Sequence, residues 1–403
     1  MSGLPLGPGA RARDEARTAL YVHVPFCAVP CPYCHFSKDA LSRAAVERYL
    51  AGMECEAARR APLAQDTAFT SVFFGGGTPS ALAPWAFARL WDTITRHFAI
   101  AKGAEITLEA NPETVKSGLL DAWAAAGVNR LSMGVQSFVP EELARLGRIH
   151  DEHRPAEAFA LARAHGFQRL SLDLMFGYPG HTLEHWHHTV AVARTLAPEH
   201  VSAYGFIPEA GTPLGDAIAR GETSVVSPEL EAAMHAHVDE ALRADGLALY
   251  ETSNWSRPQA ESRHNLTYWL RRDHLAIGPS AHGLWRGVRR ANAYATHDWA
   301  TRLERGEDPA VDVEQETPAS RADETVMLAL RLGSGLVLAD LEPVARQELL
   351  TRYTSAFEAG VAAGRLERTP EGWRVPPSHV FVADDTLAWL AVRARPLVQE
   401  VAA

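Results

Sequence analysis

The chain has 403 residues, 47% of them apolar and 22% charged, a balance that excludes a disordered protein and supplies enough apolar material for a core. Thirty-nine Lys and Arg against 49 Asp and Glu give a formal charge of −10, which argues against a surface built to neutralise phosphates and so against nucleic acid as a main partner. Four cysteines are too few for a disulfide framework, and neither a membrane-length apolar run nor the apolar stretch of a signal peptide is present, so a cytoplasmic protein is expected.

Residues 1–17 are rich in Gly, Pro and Arg without periodicity and are expected to form a flexible leader. From residue 19 short β-branched or apolar runs alternate with helical patterns. The spacing predicts strands at 20–24, 71–74, 105–109, 130–133, 169–174 and 201–206, with helices at 44–60, 86–98, 115–126, 155–165 and 182–196. Six strands joined by five helical crossovers imply an α/β fold with a right-handed parallel sheet, a partial (β/α)6 TIM-like barrel whose active residues sit at the strand ends. Beyond 208 the alternation weakens. A helix is expected at 228–244, a strand at 247–252 and a polar, aromatic stretch at 254–285. Helices at 323–332 and 338–359, a hairpin at 366–375 and a closing helix at 385–394 then suggest a small α-rich C-terminal domain.

The first strand runs into Pro25, Phe26, Cys27, Ala28, Val29, Pro30, Cys31, Pro32, Tyr33 and Cys34, a CxxxCxxC loop whose prolines forbid a regular helix. Three thiolates on a loop can hold three irons of a four-iron cluster and leave the fourth open to a small molecule. Read by spacing alone, the loop fits two alternatives as well: a zinc site with His35 as fourth ligand, or three unrelated buried thiols. One βα unit later comes Phe74, Gly75, Gly76, Gly77, Thr78, where glycines let the backbone approach a ligand. Further on lie Glu109, Gln136, Arg148 and Asp173, polar groups that close or follow apolar strands.

YVHVPFCAVPCPYCHF resembles the cluster loop of radical S-adenosylmethionine (SAM) enzymes, and the later motifs match the branch containing oxygen-independent coproporphyrinogen oxidase and the HemW haem chaperones. The resemblance implies a [4Fe-4S] cluster on Cys27, Cys31 and Cys34. It implies SAM held by Gly76, Gly77, Thr78, Glu109, Gln136, Arg148 and Asp173, with Tyr21, Tyr33 and Ile207 lining the adenosyl pocket. It further implies a radical SAM core barrel over 18–250, a connecting region over 251–320 and a C-terminal domain of the oxidase type over 321–403.

Within the branch two features separate this chain from the oxidase: Phe36 stands where the oxidase pattern has a fourth cysteine, and the stretch before Cys27 is short. His264, Asn265, Tyr268 and Trp269 resemble the HNxxYW segment of the HemW group. That group implies haem as cargo, haem-accepting proteins as partners (a transient membrane-protein acceptor among them), and an electron donor for the cluster. His264 is then a candidate axial ligand, although a His beside Tyr and Trp also suits a core cluster with satisfied hydrogen bonds. The GPSAHG segment at 278–283 is expected to turn near the barrel mouth, with His282 a second candidate ligand. His35 departs from the group, which commonly has Asp after the third cysteine. His181, His185 and His188 fall at helical spacing and are expected to form a solvated face rather than a metal site, and Cys55 is expected to be a small buried hydrophobe.

Overall fold

The computed structural model describes residues 9–395. Twelve strands form one strongly curved sheet: β1 (Ala19–Val24), β2 (Ala68–Gly76), β3 (Ala99–Ala110), β4 (Arg130–Gln136), β5 (Arg169–Phe176), β6 (His200–Gly205), β7 (Ala248–Glu251), β8 (Asn254–Ser256), β9 (His274–Ile277), β10 (His282–Trp285), β11 (Val288–Asn292) and β12 (Ala310–Gln315). Their order is β12-β11-β10-β9-β1-β2-β3-β4-β5-β6-β8-β7. The run from β9 through β1 to β6 is parallel, and both flanks are antiparallel. The six parallel strands and the helices between them form the α/β partial barrel expected from the alternation.

The two faces of these strands differ in chemistry because side chains alternate along a strand. Outward positions such as Leu20, Val22, Val72, Leu108, Leu131, Leu172 and Val201 are buried with Tyr49, Leu90, Trp123, Phe159 and Trp186 of the surrounding helices in one core. The positions between them, Tyr21, Phe73, Glu109, Ser132, Asp173 and Ser202, are polar or aromatic and line the lumen. A separate core runs from Ala322 to Leu390, built on the helices Pro318–Ala329, Pro343–Ala362 and Ala383–Ala391 and a three-stranded sheet. Among the described residues no helix is long and apolar enough to cross a membrane.

Three expectations need correction. Residues 10–15 of the leader form a helix, Ala10–Glu15, with Ala12 and Ala16 buried against Tyr250, Leu266 and Leu332. Arg13 is buried there, donates to Ser334 Oγ at 2.6 Å and pairs with Asp340, while residues 1–8 lie outside the described part. The stretch 254–285 supplies β8, β9 and β10, and the segment after it supplies β11, β12 and a helix, Thr296–Glu304. Cys55, on the helix Arg43–Arg60, is exposed rather than buried.

The turn from β9 to β10, which carries the GPSAHG segment, lies against His23 of the first strand. Gly278 has φ +103°, and a Cβ there would come within 2.7 Å of the His23 carbonyl oxygen, so only glycine fits. Its N–H donates to Glu56 Oε2 (2.9 Å), which also accepts from Trp299 Nε1 (2.8 Å), while Asn292 Nδ2 donates to Glu56 Oε1 (2.7 Å). Glu56 thus ties a helix, a turn and a late strand together at a fully buried point, where burial raises its carboxyl above the usual range.

Candidate functional site

The chain folds so that the loops after β1, β2, β3 and β4 meet at one end of the barrel. β1 ends at Val24, and Pro25 turns the chain into the cysteine loop, whose two-residue strand Phe26–Cys27 pairs with Asp39–Ala40. Cys27, Cys31 and Cys34 are free, half-buried thiols. Thr78 Oγ1 donates to Cys27 Sγ and Arg148 Nη1 to Cys31 Sγ, each at 3.6 Å. Burial pushes the Cys27 thiol up, and the Thr78 hydroxyl opposes this. Among the described residues no three His, Cys, Asp or Glu side chains gather tightly enough to hold a single ion. Three thiols on one loop can each take one iron of a cluster.

The glycine run has a steric reason. Gly76 has φ +115° with the His23 ring behind it, where a Cβ would lie 2.6 Å from Cε1; at Gly77 a Cβ would lie 2.8 Å from the Phe26 carbonyl oxygen. Gly76 N–H donates to Glu109 Oε2 (3.1 Å). Arg148 donates through Nη2 to Asn111 Oδ1 (2.8 Å) and to the Gly134 carbonyl (2.6 Å), and Asn111 Nδ2 donates to Thr78 Oγ1 (3.4 Å). Asn111 is a hub that sequence reasoning missed, because an Asn before Pro reads as a turn residue. Gln136 ends β4 at φ +69° with its amide beside Gly134. Asp173 lies in mid-strand rather than at the end of β5, and accepts from Ser132 Oγ at 2.9 Å. Tyr33 packs on Leu146, Met175, Tyr178 and Phe206, whereas Ile207 projects into solvent at the mouth, 71% exposed. Tyr21 faces the lumen with its hydroxyl 3.1 Å from His23 Nδ1.

Burial, and secondarily Asp173, holds the Glu109 carboxyl up to about 8, and burial holds Asp173 up to about 6 and Glu251 up to about 8. The folded chain thus keeps protons that the unfolded chain gives up near 4.5, so these two glutamates stabilise the fold fully at low pH and lose that contribution as pH rises to about 8. His23, His181 and His274, held near 4 by burial, act in the opposite sense, but only below their ordinary 6.5. Between pH 6.5 and 8 the urea midpoint of the ligand-free protein is expected to fall, and Glu109→Gln to remove about half of that slope. An unchanged slope in the variant would contradict a protonated Glu109.

His264 departs from the expectation of an axial ligand. It lies at the opposite, N-terminal end of the barrel strands, only 1% exposed. Nδ1 is 3.1 Å from Ser71 Oγ, Nε2 is 2.7 Å from the Tyr268 hydroxyl, and the ring stacks on Phe73 at 4.8 Å. Both nitrogens are engaged, so His264 is a core histidine that closes the barrel floor. The histidines after the GYPG turn do not form one face either. His181 precedes the helix Leu183–Thr195 and is buried on the Tyr178 ring at 4.3 Å, His185 Nδ1 lies 3.1 Å from Glu142 Oε1, and His188 is exposed.

Residues 21–193 match the Radical SAM superfamily. The chain is 34% identical to the heme chaperone HemW of Bacillus subtilis over 317 residues, 78% of this chain and 84% of that protein. It is 36% identical to the heme chaperone HemW of Mycobacterium tuberculosis over 348 residues, 84% and 88% of the two chains. The chain belongs to the HemW family. The fold is also that of the radical SAM coproporphyrinogen III oxidase HemN of Escherichia coli, with a TM-score of 0.80 at 22% identity over 94% of this chain and 92% of that one.

Proposed function

We propose that the protein is a radical SAM haem chaperone that carries a [4Fe-4S] cluster on Cys27, Cys31 and Cys34, binds SAM on the strand-end loops and delivers haem to acceptor proteins. The observation that carries this reading is the likeness to HemW chaperones over 78–84% of the chain, together with three free thiols that meet the glycine run and Arg148 at one barrel mouth. When bound, the cluster supplies an open iron and one electron for cleavage of the SAM carbon–sulfur bond. The chain's own part is positioning. Arg148, braced by Asn111 and Gly134, offers a fixed cation for the SAM carboxylate; Gly76 and Gly77 offer backbone groups for its amino group. Glu109, Gln136 and Asp173 present a carboxyl or amide to hydroxyl and amino groups, and Tyr33 and Ile207 cover the adenosine. An electron donor for the cluster and a cytoplasmic setting complete the proposal.

Phe36, in place of the fourth cysteine, disfavours coproporphyrinogen oxidation. The test uses the anaerobically reconstituted, hemin-loaded protein. Haem is expected to reach apomyoglobin faster than hemin does from buffer. With SAM, reductant and coproporphyrinogen III, no protoporphyrinogen is expected, and its formation would overturn the reading in favour of the oxidase.

A further inference from the structure

The histidine that the HNxxYW segment pointed to is sealed inside the barrel, so a haem ligand has to be sought elsewhere. The large cleft beside the C-terminal core, about 560 Å³, fits poorly: five carboxylates line it against Arg271, Arg289 and Arg331, and those arginines are already ion-paired, which repels a porphyrin dianion. The cysteine mouth differs. His35 is exposed, and among the described residues neither of its ring nitrogens has a hydrogen-bond partner. Phe36 beside it is 64% exposed, and the Tyr294 ring, 53% exposed, stands 6.1 Å away.

This exposure is built rather than incidental, because the backbone on both sides is anchored. Lys38 Nζ donates to the Cys34 carbonyl, and Tyr294 OH donates to the His35 carbonyl at 2.7 Å. Ser37 Oγ donates to the Tyr294 carbonyl at 2.6 Å, and the Ser37 carbonyl lies 3.2 Å from His23 Nε2. Val29 on the same loop, Ile149 next to Arg148, and Ile207 after β6 are also exposed. All follow the C-terminal ends of parallel strands, so an apolar rim surrounds the mouth. Large apolar side chains on a rim mark a binding surface.

Resting on the haem-carrier reading above, we infer that haem docks flat on this rim, with Phe36 and Tyr294 against the porphyrin and His35 as its axial ligand. An imidazole nitrogen donates its lone pair to the haem iron, and the water or chloride held there leaves.

The test is an anaerobic hemin titration of the full-length, reconstituted protein, read in the Soret region. The parent is expected to saturate with a nitrogen-ligated spectrum. His35→Ala is expected to weaken binding at least about tenfold and lose that spectrum, and added imidazole to restore it in His35→Gly. A His35→Ala titration like the parent's would overturn this assignment and leave the carrier reading standing. No saturable binding by the parent would overturn both.

Discussion

Serine at Cys27, Cys31 or Cys34, one at a time, is expected to leave the anaerobically reconstituted protein with almost none of the parent's iron and acid-labile sulfide. A serine hydroxyl is a harder and far less acidic donor than a thiol, and each cysteine accounts for one iron of the cluster. Cys31→Ser carries a second cost, because Arg148 Nη1 lies 3.6 Å from that sulfur and loses an anionic partner. The control is Cys55→Ser, which changes an exposed side chain on the helix Arg43–Arg60 and is expected to keep the full cluster. Parent-like iron and sulfide in all three single variants would show that these thiols do not hold the cluster.

Glu56→Ala is expected to destabilise the fold by about 3–5 kcal/mol in denaturant unfolding. The side chain is wholly buried and accepts from the Gly278 N–H, Asn292 Nδ2 and Trp299 Nε1. Truncation strands all three donors in a dry site and removes a carboxylate from beside buried Arg60. Glu56→Gln keeps two acceptor contacts but turns an amide toward Asn292, so a smaller loss, about 1–3 kcal/mol, is expected. A loss under about 1 kcal/mol for alanine would mean that water or a shifted helix replaces the network.

The six parallel strands and their helices were legible because each strand pairs an apolar outer face with a distinct inner one, and each helix carries a long enough stripe to register. The cluster loop, the glycine run and the strand-end polar groups were legible for a different reason, since their chemistry shows in residue type and order. Of the outer strands β7 was legible, at 247–252, but β8 to β12 were not. β8 has three residues and β9 four, and β12 is exposed at all but one position, so neither length nor alternation marks them. The helix Ala10–Glu15 shows no apolar stripe, its docking resting on two alanines and a buried arginine. His264 was misplaced for a related reason: a motif names neighbours in sequence, whereas ligand or core depends on what fills the space around the ring. Ser71, which occupies one of its nitrogens, is 193 residues away.

The closure of the barrel floor also bears on how the chain is made. β1 takes one neighbour from β2 but the other from β9, and the helix before β1 docks on Leu266 and Leu332. At a synthesis rate of roughly 5–20 residues per second, those partners leave the ribosome on the order of 10–60 s after the first strand. During that interval the edge of β1 stays unpaired and the cysteine loop lacks Tyr294. The nascent chain therefore passes through a stage in which the three thiols and one edge of the first strand are uncovered, an interval set by the sequence distance to β9.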